Sequence, residues 1–154
     1  MTAAIDSSSN SNAGVGFVIP SQIVKMVVPS LISTGTYNHP YLGITGTNMN
    51  PDLASLMSLN AQQKGALVID VAAGGPAATA GLLGSTQTST LNGQQVQYGG
   101  DVITAVDGQP VQTMDDLSSY LFLSTKAGQS VTLTILRQGK QMTLNVTTGT
   151  IPAQ

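Results

Sequence analysis

Apolar residues fall along this chain in two rhythms, and the change of rhythm marks its organisation. From Ser21 onward, Ile23, Val24, Val27, Val28, Leu31 and Ile32 recur at the three-to-four-residue spacing of an amphipathic helix. Ser21 is a good N-cap and Gly35 a good stop. Pro29 falls inside the pattern, removes one backbone donor and predicts a kink. Ahead of the helix, "TAAI" and "VGFVI" read as short strands around the polar loop "SSSNSNAG". Two strands cannot bury a face by themselves, so this piece reads as the end of something larger.

After Gly35 short β-rich runs alternate with turn signals. "YLGIT" reads as a strand. "NMNPDLASLMSLN" predicts a short helix with Asn50 as cap and Pro51 in its first turn. "GALVIDVA" is a strand, and "GGPAATAGL" a turn plus a short helix of small residues. "DVITAVDG" is a strand ending in an Asp-Gly turn. "TMDDLSSYLFLSTKAG" predicts the main helix, with Thr113 as cap, Asp115 and Asp116 at its positive end and Gly128 as stop. In "SVTLTILRQGKQMTLNVTT", Val131, Leu133 and Ile135 alternate strictly, which predicts a hairpin turning near Gln138-Gly139. The polar stretch between Leu82 and Gly100 is long for a compact domain and reads as a floppy loop or a small hairpin. Together these elements predict a small mixed α+β domain.

Composition narrows the chemistry. Charged residues make up 8 % of the 154 positions, all seven acids are Asp, and the net charge is −2 with no basic cluster. That argues against nucleic acid and against an anionic membrane surface as partners. Lys25 is the only charge on the amphipathic helix, so its apolar face reads as packing on protein. The absence of Cys excludes disulfides, thiolate catalysis and thiolate metal sites. No apolar run approaches the roughly 18 residues of a membrane span. A targeting or anchoring segment would lie outside this sequence.

A serine hydrolase needs a Ser, a base and a group that orients the base. This chain has one histidine, His39, and no Ser in a G-x-S-x-G elbow. His39 precedes Pro40 in a connecting loop and reads as an ordinary surface residue. No two Asp stand at D-x-D spacing. Gly14-Val15-Gly16 precedes a strand and lacks the helix start and Lys-Ser/Thr of a phosphate loop. The residues themselves offer no catalytic, cofactor or metal site.

The ordered series "YLGI", "GALVIDVAAGGPAATAGL", "GGDVITAVDGQPV", "DDL" and "AGQSVTLTILRQGK" resembles the PDZ domain of the HtrA/Deg family of serine proteases. The likeness covers residues 37–150 and implies a PDZ-like, partly open β-barrel of five to six strands with two helices. Residues 1–20 resemble the end of the family's protease barrel, 21–36 its linker helix, and 151–154 a tail. The family's catalytic Ser, His and Asp would lie upstream of Thr2, so the resemblance implies no enzyme in this segment and a serine endopeptidase as parent. The stretch 83–99 departs from the pattern as an insert.

The resemblance also implies a site. A peptide adds as a strand to an exposed sheet edge beside a helix. Its terminal carboxylate needs converging N–H donors, and a residue without Cβ lets the backbone come close. In "YLGI", running from Tyr41, Gly43 is that residue, and the amides of Leu42, Gly43 and Ile44 would be the donors. Leu42 and Ile44 would line an apolar pocket, with Thr45 following on the groove strand. Leu117, Leu121 and Ser124 lie at i, i+4 and i+7 and would form the helix wall, with Tyr120 as the substitute in a shifted register.

The expected function is therefore a peptide-binding, substrate-recognition module that captures C-termini or unfolded segments. The alternative is a structural contact domain with a closed or unused groove. Expected partners are client peptides and the module's own protease domain, within a homo-oligomer that the protease domain assembles; nucleic acid, direct membrane contact and cofactors are not expected. The family is commonly extracytoplasmic or membrane-tethered, which places the parent outside the cytoplasm.

Overall fold

The structure, a computed structural model, describes residues 2–4, 17–18, 21–35, 37–91 and 93–150. The chain divides into two units, Met1–Tyr37 and Asn38–Gln154. In the first, β1 (Thr2–Ala4) pairs antiparallel with β2 (Phe17–Val18), and α1 spans Ser21–Thr34. The loop "SSSNSNAG" lies outside the described residues. The helix runs through Pro29 and ends at Gly35, whose φ of +74° only glycine adopts readily and whose amide donates to the Leu31 carbonyl. Ile23, Val24 and Val27 are half-buried, whereas Val28, Leu31 and Ile32 remain exposed.

The second unit contains β3 (Pro40–Tyr41), β4 (Ile44–Asn48), α2 (Pro51–Leu56), β5 (Ala66–Val71), α3 (Pro76–Thr79), β6 (Gln87–Leu91), β7 (Gln94–Tyr98), β8 (Val102–Val106), β9 (Gln109–Pro110), α4 (Met114–Ser124), β10 (Ser130–Arg137), β11 (Lys140–Thr147) and β12 (Gly149–Thr150). The main sheet is antiparallel, in the order β11-β10-β8-β5-β4, with β9 paired to β8. β3 pairs with β12, and β6 with β7. This is the expected α+β, PDZ-like architecture.

β5 explains its own sequence. Ala66 and Val68 join a core cluster with Leu117 and Leu121 of α4 and with Val131, Leu133 and Ile135 of β10. Leu67 joins a second cluster with Leu53 of α2 and Val102 of β8. Successive side chains point to opposite faces, so this strand is buried on both. That is why "ALVI" is a continuous apolar run while β10 alternates.

Turns and caps follow local chemistry. Asp107-Gly108 and Gln138-Gly139 all have positive φ, as a two-residue hairpin turn of the primed type requires. Asn50 caps α2, its side-chain oxygen accepting from the Leu53 amide at 2.8 Å. Thr113 caps α4, accepting from the Asp116 amide at 3.1 Å, while Asp116 accepts from the amides of Gln112 and Thr113. The far end of α4 departs from expectation. The helix stops at Ser124, because Thr125 turns extended and its buried hydroxyl donates to the Leu121 carbonyl at 2.6 Å. Gly128, at φ +83°, instead shapes the turn into β10.

The 83–99 insert is a hairpin, β6–β7. Val96 and Tyr98 pack on the Leu53–Leu67–Val102 cluster, so the hairpin sits on the face of β5 opposite α4. Its neck passes close under β5. The Ser85 amide donates to the Ile69 carbonyl, and a Cβ on Gly100 would overlap the Val68 carbonyl. Asp101 anchors the same point. It is 1 % exposed and accepts from Arg137 Nε at 2.8 Å and Nη2 at 2.7 Å, and from the Leu83 amide at 2.8 Å. Arg137 also donates to the Gly81 carbonyl, and hydrogen bonding to Asp101 raises its pKa. One buried carboxylate thus ties β8, β10 and the loop after α3 together.

Two outcomes follow. Asp101→Ala leaves Arg137 and the Leu83 amide without their acceptor and should lower stability by about 3 kcal/mol, read as a shift in the urea midpoint. The amide of Gln112, then the hydroxyl and amide of Thr113, hold the Asp116 carboxyl below the usual carboxylate range. Its stabilising effect is complete above about pH 4 and fades as pH falls through the lowered folded value. Asp116→Ala should therefore be less stable than the parent at pH 7, with the gap narrowing between pH 5 and pH 2 in urea titrations.

Candidate functional site

The site is built from the loop that joins β3 to β4. Gly43 sits at φ +78°, and a Cβ there would meet the Tyr41 ring at 3.3 Å and Ala72 Cβ at 3.4 Å. The Leu42 carbonyl accepts from the Ala77 amide at 2.9 Å and the Gly43 carbonyl from the Ala72 amide at 2.8 Å. The described peptides are all trans, and a trans peptide carries its N–H opposite its C=O. The Gly43 N–H therefore points away from α3, and the Ile44 N–H away from the end of β5. Among the described residues, the Leu42 and Gly43 amides donate none of the backbone hydrogen bonds formed outside helices and strands.

These donors stand at one end of a cavity of about 340 Å³. The loop lines it with His39, Pro40, Tyr41, Leu42, Gly43 and Ile44, and α4 lines it with Met114, Leu117, Ser118, Leu121 and Phe122. β4 is the last strand of the main sheet, so its outer edge faces no other strand among the described residues. Two contacts set the distance between β4 and α4. The Met114 amide donates to Asn48 Oδ1 at 2.7 Å. Gly46, beside an irregularity in the β4–β5 register, leaves room for Met114, since a Cβ there would lie 2.8 Å from its sulfur and 2.5 Å from the Leu67 carbonyl. Within the same lining the His39 ring stacks on Phe122, with centroids 5.5 Å apart and planes 17° from parallel.

The structure gathers Tyr41, Leu42, Gly43, Ile44, Leu117 and Leu121 around this one cavity. Thr45 is exposed on β4 and outside the lining. Tyr120 and Ser124 line a different cavity of about 290 Å³ with Val111 and Leu123. The reason is angular. Leu117 points into the core at 1 % exposure, and the groove opens on the flank that holds Met114, Ser118 and Phe122. Tyr120 and Ser124 project from the other flank. Tyr120 donates to Asp107 Oδ2 at 3.1 Å, and burial, then that carboxylate, raises its pKa. The sequence reading did not include Met114, Ser118, Phe122 or His39 in the groove. The first three form an i, i+4, i+8 stripe that would have pointed to them. Among the described residues no group of three metal-ligating side chains forms.

Known proteins share this arrangement of elements. The PDZ domain family model matches residues 40–148. The chain is 33% identical over 153 residues to the probable periplasmic serine endoprotease DegP-like of Rhizobium meliloti (strain 1021), covering 99% of this chain and 27% of that protein. It is 33% identical over 146 residues to the periplasmic serine endoprotease DegP of Escherichia coli (strain K12), covering 95% of this chain and 27% of that protein. The chain thus spans about a quarter of the length of these curated relatives. Among solved structures, the HtrA-type protease AlgW with decapeptide aligns at a TM-score of 0.74 and 28% identity, over 100% of this chain and 42% of that one. AlgW with tripeptide aligns at 0.70 and 29%, over 100% and 46%. With its fold, its sequence match and its relatives in agreement, the chain belongs to the PDZ domain family, in the form carried by HtrA-type serine proteases.

Proposed function

We propose that this domain captures the C-terminal segment of peptides and unfolded proteins by adding it as a strand to β4. The observation that carries the reading is the outward aim of the Gly43 and Ile44 amides at the end of an apolar cavity beside an unpaired strand edge. Backbone donors at a tight turn suit a carboxylate. Leu42, Ile44, Leu117, Leu121 and Phe122 suit an apolar last side chain. The strand edge suits the main chain behind it.

The parent is then a serine endopeptidase of the HtrA type, acting outside the cytoplasm, with this domain as its regulatory and substrate-recognition module. The relatives named as periplasmic endoproteases and the structural likeness to AlgW with bound peptides support that reading. In the same reading residues 1–20 close the protease domain, 21–36 link it to the PDZ domain of 37–150, and the protease domain supplies the homo-oligomer.

The test is peptide titration of the 154-residue chain by calorimetry or fluorescence anisotropy. A peptide with a free C-terminus should bind at least about tenfold more tightly than its amidated form, since charge-assisted hydrogen bonds are lost with the charge. Equal affinity for the two forms would refute the carboxylate site. Gly43→Val forces a β-branched residue into positive φ, a strain of about 1–2 kcal/mol, and should weaken free-acid binding while the domain stays folded. Unchanged affinity in that variant would exclude this loop.

A further inference from the structure

We infer that Met114 and Asn48 shut the groove beyond the first residues of β4, so that the domain reads only the last three residues of a C-terminus. The inference rests on the peptide-binding reading above and adds a class of ligand to it: chains selected by their final residues, whatever sequence leads up to them. The two walls of the cavity differ in length. On the helix side the lining runs from Met114, the first residue of α4, to Phe122 near its end. On the strand side it stops at Ile44, although β4 continues to Asn48.

The side chain of Met114 closes the remainder. Residues paired across two antiparallel strands share a face. Gly46 pairs with Val68 and Asn48 with Ala66, and both partners belong to the core cluster under α4, so Gly46 and Asn48 face the helix as well. Gly46 has no side chain to put there, and the Met114 sulfur takes the place, 2.8 Å from where its Cβ would stand. Met114 also packs on that core cluster, which seats its side chain. Three hydrogen bonds then hold the two walls together at this end. Asn48 Oδ1 accepts from the Met114 amide at 2.7 Å, the Gly65 amide donates to the Gln112 carbonyl at 3.1 Å, and the Met49 amide donates to the Gly65 carbonyl at 2.9 Å. The end of β4 and the start of α4 cannot part without breaking them. An added strand needs a lane about 4.8 Å from β4. With the carboxylate at Gly43 and Ile44, the last two ligand residues lie beside Ile44 and Thr45, and the third comes level with Gly46 and Met114. Residues further upstream leave the sheet edge and form no ladder hydrogen bonds.

The experiment measures, by calorimetry on the 154-residue chain, the affinities of two N-acetylated free-acid peptides of three and seven residues. Both end in Ala-Thr-Val, and the longer is extended upstream by alternating Thr and Val. The readout is the ratio of the two affinities. In the parent it should stay within about twofold, because the extra residues find no strand edge to pair with. Met114→Ala removes the filling side chain and Asn48→Ala the bond that holds it. In each, the heptapeptide should bind at least about fivefold more tightly than the tripeptide, the effect of recovered ladder hydrogen bonds. Asn48→Asp keeps the acceptor and should return the ratio to that of the parent. Thermal unfolding checks that each variant is folded. A parent in which the longer peptide binds more than about twofold tighter overturns the inference, as does an unchanged ratio in every alanine variant that folds. A tripeptide amide that binds as tightly as the free acid overturns the peptide-carboxylate reading as well.

Discussion

Two backbone hydrogen bonds hold the site: Ala77 N–H to the Leu42 carbonyl and Ala72 N–H to the Gly43 carbonyl. Each peptide group is rigid, so fixing where a carbonyl points also fixes where the next amide points. Both bonds draw carbonyls toward α3 and the end of β5, and both amides are turned outward. The turn that allows this needs positive φ at one position, and Gly43 occupies it. The small residues of "AAGGPAATAGL" have a matching purpose. Ala72 packs 3.4 Å from where a Gly43 Cβ would stand, and a side chain on Gly75 would crowd the Ala72 carbonyl at 2.9 Å. Bulk in this segment would push the loop off its seat.

The rest of the domain keeps that seat in register with the helix wall. β5 is the hinge of the packing, with α4 against one face and α2 with the inserted hairpin against the other. The insert therefore adds to the face remote from the groove and leaves the β4 edge open. Asp101 makes this possible. Its carboxylate gathers the loop after α3, the start of β8 and the end of β10 at the point where the hairpin leaves the sheet. The long polar insertion is tolerated because its neck is fixed by hydrogen bonds and by glycines packed on β5.

Much of this was legible in the residues. Asn50, Pro51, Thr113, Gly35 and the two residue pairs of the hairpin turns act locally, within a few positions of one another, so their signals survive without knowledge of the fold. The strict alternation of Val131, Leu133 and Ile135 found its face for the same reason. The loop residues Leu42, Gly43 and Ile44 were legible through an ordered pattern shared with other proteins. The end of α4 was not: Thr125 stops it with a buried hydroxyl, three residues before the glycine that looked like the stop. Nor was the flank of the helix wall. Periodicity identifies a stripe through Leu117 and Leu121, but Tyr120 and Ser124 flank it on one side as plausibly as Ser118 and Phe122 do on the other.

By itself, then, the sequence determined the element types, their caps and turns, the α+β class and the glycine at the head of the groove. All of these depend on short-range sterics and hydrogen bonding. Only the tertiary structure decided which flank of α4 faces β4, that the insert packs away from the groove, and that His39 lies against Phe122. Those outcomes depend on contacts between residues far apart in the chain, such as Met114 with Asn48 and Arg137 with Asp101. Spacing along the sequence cannot express them, because they exist only once the sheet has closed around its core.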